Sequence, residues 1–276
     1  MILLIVALPV LSGADQATPL LVMPPILAAR DRPDTTGPPG SPSWWHPRPG
    51  TSWQWQLSGV IDTSVDAEMF DIDLFDTPQQ VIDRLHARGR TVICYFSAGS
   101  YENWRPDADR YPGEILGRDL DGWPGERWVD IRRTDLLAPI LKARLDLAVS
   151  KKCDGVEPDN VDGYTNDTGF PLSATDQLRF NRWLAAMAHE RGLSIGLKNN
   201  LGQVASLVGD FDWALNEQCF QFDECDALLP FVQAGKAVFG VEYSGETGTF
   251  CPRANTMNFD WLKKKVTLGS WRIPCR

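Results

Sequence analysis

The chain has 276 residues, enough for one large domain, because barrels of parallel strands commonly reach about 250 residues as a single unit. Its 36 acidic and 27 basic residues give a formal net charge of −9, which argues against nucleic acid as a partner and would attract cationic polymers. The same charge would also serve the solubility of a secreted protein.

The N-terminal residues, MILLIVALPVL, are almost wholly apolar and are followed by Ser12, Gly13 and Ala14. This pattern predicts a secretory signal peptide over residues 1–14, although the basic residues that usually precede the apolar run are missing. A buried N-terminal helix is the alternative interpretation. The run is too short to span a membrane, so we expect no membrane contact after cleavage.

Residues 15–50 are rich in proline, with scattered Gly, Ser and Asp. This composition is typical of a disordered linker rather than a folded layer. The folded domain is therefore expected over residues 51–276.

From Trp53 onward, short apolar segments alternate with amphipathic ones, the pattern typical of an α/β fold with a parallel sheet. About eight strands are expected, the number that a (β/α)8 TIM barrel requires. The strands are predicted at 53–57, 69–75, 91–96, 127–131, 153–157, 194–197, 213–216 and 237–242. Helices are predicted at 78–88, 136–149, 176–191, 203–208 and 226–233, punctuated by proline at the start or glycine after the end.

The segment 97–126 is the one long irregular loop in this pattern, and loops of that length inside a compact domain are usually functional. It contains Trp104 and Trp123, which could stack on sugar rings.

Six cysteines in a chain with an export signal indicate disulfides rather than a metal site, because no C-x-x-C pair exists and the histidines are isolated. Six cysteines allow fifteen pairings, and the sequence does not prove one. The favoured pairs are Cys219 with Cys225, Cys251 with Cys275 and, by elimination, Cys94 with Cys153. We expect no metal and no cofactor.

Polar side chains recur where the predicted strands end, and in a TIM barrel these ends surround the active-site mouth. A mouth lined with carboxylates and amides suits a polyhydroxylated or aminated ligand. The candidate substrate contacts are Asp73, Asp76, Tyr95, Glu157, Lys198, Asn199, Glu242 and Trp104. Packing of polar groups inside the barrel is the alternative for each, and for Glu157 a structural ion pair is slightly favoured.

Asp159 and Glu217 are the candidate catalytic pair, because glycoside hydrolysis needs two carboxyl groups flanking the scissile bond. They follow the predicted fifth and seventh strands, so they can face each other across the mouth. Glu217 follows an apolar strand and would neighbour an ionised Asp159, and both effects raise the pKa of a general acid. Asp159 is assigned as the nucleophile. Helix capping or pairing with Lys198 is the non-catalytic alternative.

Four segments occur in a distinctive order: CYFSAGS from Cys94, DGVEPDNVD from Asp154, GLKN from Gly196 and NEQC from Asn216. Together they resemble glycoside hydrolase family 114, and the resemblance extends from Trp53 to the C-terminus. It implies a TIM-barrel endo-α-1,4-polygalactosaminidase of the kind that bacteria and fungi secrete. It also implies that Asp159 is the nucleophile and Glu217 the acid/base.

The implied substrate is a cationic, galactosamine-containing polysaccharide, which would explain an acidic mouth. A barrel glycosidase acting on another glycan, neutral or N-acetylated, is one alternative. A secreted carbohydrate-binding protein without catalysis is the other. We expect the protein to be a monomer.

Overall fold

The computed structural model describes residues 44–276. The strands in this part of the chain are β1 (Trp53–Gln56), β2 (Met69–Asp73), β3 (Thr91–Ser97), β4 (Ser100–Glu102), β5 (Leu116–Asp119), β6 (Glu126–Val129), β7 (Gly155–Asp159), β8 (Ser194–Lys198), β9 (Trp213–Glu217), β10 (Val238–Glu242), β11 (Asp260–Lys263) and β12 (Ile273–Pro274).

Eight parallel strands form the TIM barrel, in the order β1-β2-β3-β7-β8-β9-β10-β11. Short β12 pairs antiparallel with β11. The C-terminal segment then reaches β1, where the backbone N–H of Leu57 donates to the carbonyl of Leu268 at 3.0 Å and Arg272 donates to the carbonyl of Trp53 at 2.8 Å. The last strand is thereby connected to the first.

One predicted barrel strand is wrong. The segment predicted at 127–131 overlaps β6, which lies in a separate antiparallel sheet of order β4-β6-β5. The eighth barrel strand is β11, whose sequence DWLK has only two apolar residues and therefore gave no strand signal. Asp159 and Glu217 consequently end the fourth and sixth barrel strands, not the fifth and seventh, but they remain two strands apart.

The segment predicted as an irregular loop is also structured. Residues 98–129, here called the mouth insertion, contain the three-stranded sheet and two short 3-10 helices at Ala108–Arg110 and Gly113–Ile115. Because β3 leads directly into the insertion, the insertion stands beside the C-terminal ends of the barrel strands.

The helices cover the outside of the barrel. They are α1 (Gln79–Ala87), α2 (Thr134–Ser150), α3 (Ala174–His189), α4 (Val204–Leu207), α5 (Cys219–Phe222), α6 (Leu229–Gln233) and α7 (Thr247–Thr256). The long helices α1 to α3 agree with the predictions within about two residues, and the Ser173–Asp176 capping box starts α3. The helices α5 and α7 were not predicted, and α7 contains Pro252, a residue that is unusual inside a helix.

The barrel interior changes character along its axis. Towards the N-terminal ends of the strands it is filled by large apolar side chains, including Trp53, Trp213 and Phe239. Gly196 permits this filling, because a Cβ there would lie 2.3 Å from the Trp213 ring. Towards the C-terminal ends the inward side chains become charged, so the apolar layer closes the bottom and supports the site above it.

Three disulfides are present, Cys94–Cys153, Cys219–Cys225 and Cys251–Cys275, which is the favoured pairing. Among the helices of residues 44–276, none combines the length and the apolar character that crossing a membrane requires.

The predicted signal peptide lies outside the described residues, as does most of the predicted linker. Residues 44–50, the end of that linker, contact the barrel. Trp44 Nε1 donates to Asp212 at 3.0 Å, and the backbone N–H of Gly50 donates to Asp260 at 3.0 Å. Asp212 and Asp260 stand at the beginnings of β9 and β11, so this segment lies against the bottom of the barrel.

Candidate active site

Lys198, the last residue of β8, occupies the centre of the charged end of the barrel. Its side chain is 2% exposed, and Nζ lies 3.0 Å from Glu157 Oε1, 3.1 Å from Asp159 Oδ1 and 3.4 Å from Glu217 Oε2. Burial by itself would lower the pKa of Lys198, but the three carboxylates raise it well above its ordinary value. A permanently charged ammonium therefore holds both candidate catalytic carboxyls.

Asp159 ends β7 and faces the cavity. Its Oδ2 accepts a hydrogen bond from the Tyr95 hydroxyl at 3.1 Å, and Oδ1 accepts one from the backbone N–H of Asn160 at 2.8 Å. Burial and the neighbouring Asp159 raise the pKa of Tyr95, so its hydroxyl keeps the proton that it donates. With Lys198 these contacts fix the carboxylate while it remains 20% exposed to the cavity.

Glu217 ends β9 and is held from three sides. Oε1 accepts a hydrogen bond from the Tyr243 hydroxyl, and Oε2 accepts one from Asn199 Nδ2 at 3.2 Å in addition to its contact with Lys198. Asn199 also accepts from the backbone N–H of Glu217 at 2.9 Å. Asn199 therefore positions both the backbone and the side chain of Glu217.

The two candidate carboxyls are close together. Because the same Nζ lies 3.1 Å from Asp159 Oδ1 and 3.4 Å from Glu217 Oε2, those oxygens are separated by at most the sum of these distances, 6.5 Å. That upper bound would be reached only if the three atoms were collinear.

A residue with a left-handed backbone conformation directly follows each of the three strands that carry the site. Asn160 follows Asp159 with φ 59°, Asn199 follows Lys198 with φ 50°, and Gln218 follows Glu217 with φ 65°. Asparagine adopts this conformation more readily than most residues. Each strand therefore turns away immediately after the residue that points into the cavity.

Gly99 accommodates the turn at Asn160. A Cβ on Gly99 would lie 1.7 Å from the carbonyl oxygen of Asn160, so only glycine fits there. The amide of Asn160 then reaches Glu126 in the mouth insertion at 3.0 Å and Ser97 at 2.9 Å. Burial raises the pKa of Glu126 to about 7.

Asp73 and Asp76, at and beyond the end of β2, lie in the cavity wall around Arg105. Arg105 donates to both oxygens of Asp73 at 3.0 and 2.7 Å, to Glu102 at 2.9 Å and to Asp76 at 3.5 Å. Asp73 is thus fully engaged with the protein, whereas Asp76 is largely exposed.

The cavity has a volume of about 950 Å³ and is bounded by the barrel mouth and the mouth insertion. The half-exposed rings of Trp104 and Trp123 form part of its wall. Within residues 44–276, ten acidic residues line it against three basic ones, Arg105, Arg118 and Lys198. The acidic residues are Asp73, Asp76, Glu102, Asp119, Asp121, Glu126, Asp159, Asp162, Asp167 and Glu217.

Two of the residues predicted to contact substrate do not line this cavity. Glu157 is fully buried beneath Lys198. Glu242 points away from the barrel interior, and its Oε1 accepts a hydrogen bond from the backbone N–H of Phe220 in α5 at 3.0 Å. The cavity does contain Asp73, Asp76, Tyr95, Asp159, Lys198, Asn199, Glu217 and Trp104.

The sequence reasoning missed four site residues. Tyr243 directly follows Glu242 and Asp162 is the last residue of the DGVEPDNVD segment, so both stood in strand-end motifs, but neither was assigned a role. Arg105 and Glu126 lie in the mouth insertion, where no local pattern indicates which charges turn inward. Burial and the neighbouring Asp159 raise the pKa of Asp162 to about 6.

The family model of glycoside-hydrolase family GH114 matches residues 34–276. The chain is similar to the crystal structure of Aspergillus fumigatus Ega3 in complex with galactosamine, at 45% sequence identity and a TM-score of 0.80. That similarity covers 84% of this chain and 97% of the Ega3 chain.

The glycoside hydrolase domain of PelA from Pseudomonas aeruginosa is also similar, with a TM-score of 0.64 over 80% of this chain and 97% of that one. At 12% identity this likeness shows the fold alone. A comparison with curated protein sequences finds no match.

Proposed function

Since the chain belongs to glycoside hydrolase family GH114, and is therefore a glycosidase, we propose that it is a secreted, endo-acting enzyme that cleaves α-1,4-linked galactosamine polymers. Secretion accords with three disulfides, which persist in oxidising compartments. A cavity of about 950 Å³ at the barrel mouth, large enough for more than one sugar unit, accords with cleavage within a polymer chain.

The acidity of the cavity is the observation that carries this proposal. Asp121, Glu126 and Asp162 line it and have no cationic partner within 4.0 Å among residues 44–276. A galactosamine unit brings an ammonium group that can pair with such a carboxylate, whereas a neutral sugar would leave it uncompensated. The galactosamine bound in the similar Ega3 structure is in keeping with this substrate.

In the proposed mechanism, Glu217 transfers its proton to the glycosidic oxygen while an Asp159 oxygen attacks the anomeric carbon. The bond from that carbon to the glycosidic oxygen breaks, and the leaving chain departs with the proton. Glu217 then takes a proton from water, whose oxygen attacks the same carbon and releases Asp159. Lys198 keeps both carboxyls in place throughout.

We propose that hydrolysis retains the anomeric configuration. Retaining glycosidases place their carboxyls about 5–5.5 Å apart and inverting ones about 6.5–9.5 Å apart. The upper bound of 6.5 Å between Asp159 Oδ1 and Glu217 Oε2 lies at the bottom of the inverting range. A separation below this bound is shorter than the space that inverting enzymes keep for a water molecule between carboxylate and sugar, which supports retention.

The test compares hydrolysis of de-N-acetylated galactosaminan with that of chitosan and a neutral galactan. We expect oligosaccharides from galactosaminan only, released with the α configuration in an NMR time course. A β product would reject retention, and turnover of the other polymers alone would reject the substrate.

Asp159→Asn and Glu217→Gln test the catalytic pair, because they preserve shape and remove proton chemistry. We expect kcat to fall about 10³-fold in each, with polymer binding retained. Hydrolysis at the parent rate by both variants would disprove the pair. Binding without turnover by the parent would instead favour a carbohydrate-binding protein.

A further inference from the structure

Asp71, in the middle of β2, is a buried carboxyl to which neither the motifs nor the proposed mechanism assigns a role. Asp71 is fully buried, with 0% of its surface exposed to solvent. Neither of its oxygens receives a hydrogen bond from a donor group within the described part of the chain. A buried carboxylate with no donor is costly, so the group needs another way to satisfy its oxygens.

Asp71 and Glu157 both face the barrel interior, because β3 pairs with β2 and with β7 and its Ile93 places Asp71 level with Gly155, two residues before Glu157. Two carboxyls can form a hydrogen bond only if one of them is protonated. Glu157 already accepts from Trp55 Nε1 at 3.0 Å through Oε2, and its Oε1 lies 3.0 Å from Lys198 Nζ. Glu157 therefore has the partners of an ionised carboxylate, and the shared proton belongs on Asp71.

We propose that Asp71 retains its proton and donates it in a hydrogen bond to Glu157, which makes Asp71 a positioning residue for Lys198. The role of Lys198 in holding Asp159 and Glu217 rests on the proposed function, but the location of the proton does not.

Charge balance supports this assignment. With Asp71 neutral, the buried Glu157 and Lys198 compensate each other, and Nζ remains shared with the cavity carboxyls. An ionised Asp71 would add a second negative charge beside Glu157 and draw the ammonium into the barrel. Burial, followed by the charge of Glu157, raises the pKa of Asp71 well above its usual range, with Asp159 adding to the rise and Lys198 opposing it. The pKa of Glu157 rises less, to about 7.

Infrared spectroscopy of the full chain locates the proton directly. At about pH 9, where Glu157 and Glu126 are ionised, we expect the wild type to retain a C=O stretching band of a protonated carboxylic acid. Asp71→Asn should abolish this band, and Glu126→Gln should leave it unchanged. Absence of the band in the wild type, or its persistence in Asp71→Asn, would overturn the proposal.

Kinetics test the positioning role. Asp71→Asn keeps an N–H donor for Glu157, so we expect kcat within about threefold of wild type. Asp71→Leu removes the donor, and kcat should fall about 10- to 100-fold with KM little changed, as expected when catalytic groups are misplaced. Equal kcat values for the two variants, both folded by circular dichroism, would reject the role. If galactosaminan is not a substrate at all, the infrared result still decides where the proton is.

Discussion

Two buried cations stand at the mouth of this barrel, each among three carboxyls, and they serve their neighbours differently. Arg105, 5% exposed, grips Asp73 through both oxygens at 2.7 and 3.0 Å, and Asp73 also accepts the backbone N–H groups of Phe75 and Asp76. Lys198 spreads one ammonium over three carboxyls at 3.0 to 3.4 Å.

The difference follows from side-chain chemistry. The planar guanidinium of arginine matches a carboxylate in a rigid fork and satisfies it, whereas lysine is a compact charge with rotatable donors. The carboxylate gripped by Arg105 is 7% exposed, and those beside Lys198 in the cavity are 20% and 25% exposed. The cluster around Arg105 therefore serves mainly to stabilise the fold. The cluster around Lys198 leaves its carboxylates accessible to a ligand.

Replacing Lys198 should have the largest effect. Lys198→Met removes the cation that Glu157, Asp159 and Glu217 share, and we expect kcat to fall at least about 100-fold. Lys198→Arg should not restore activity, because the larger, planar guanidinium group of arginine does not fit a space shaped for one ammonium group. Steady-state kinetics on galactosaminan measure kcat of both variants. Full activity in Lys198→Arg would contradict the idea that this site requires the compact ammonium of lysine.

Replacing Arg105 should affect stability more than catalysis. Arg105→Met leaves Asp73 and Glu102 buried without this cation, which typically costs about 3–5 kcal/mol. Urea unfolding should show that loss, while kcat of the folded variant stays within about tenfold of wild type. A loss of kcat as large as in Lys198→Met would mean that the arginine cluster also belongs to the catalytic machinery.

The pH dependence of KM tests the cavity carboxyls that have no cationic partner among residues 44–276. Glu126, with a pKa of about 7, is charged above that pH and neutral below it. Binding of a cationic polymer should therefore weaken as pH falls from 8 to 6, raising KM about fivefold, or roughly 1 kcal/mol. Lower pH only increases protonation of the sugar amine, so the substrate cannot cause this loss.

Glu126→Gln is the matched variant for that measurement. Its KM should be raised already at pH 8 and should vary less with pH than that of the wild type. If KM of Glu126→Gln varied with pH as KM of the wild type does, Glu126 would have no part in substrate binding.

The tryptophans of the mouth insertion should give the smallest effect. Trp104→Ala and Trp123→Ala each remove an aromatic surface from the cavity wall, and we expect KM to rise about two- to tenfold with kcat nearly constant. Trp271→Ala, an exposed tryptophan that does not line the cavity, is the control. A larger fall in kcat than rise in KM would argue that the rings act on the reacting sugar.

The sequence allowed much of this to be foreseen, because strand-end residues such as Asp159, Lys198 and Glu217 follow clear apolar segments. It failed where partners come from distant elements. Segment 127–131 has the pattern of a strand, but no local feature distinguishes a barrel strand from an antiparallel one. Asp71 likewise belongs to an ordinary strand, and its proposed role depends on Glu157, which lies on a strand two positions round the barrel and distant in sequence.

The position of residues 44–50 against the bottom of the barrel determines how the enzyme can be immobilised. Trp44 and Gly50 are fixed beside the beginnings of β9 and β11, on the face opposite the cavity. A catheter coating or chromatography bead coupled on the N-terminal side of Trp44 would therefore hold the enzyme with its mouth turned outward. Coupling through lysines such as Lys263, the last residue of β11 at the mouth end of the barrel, would instead block long polymers.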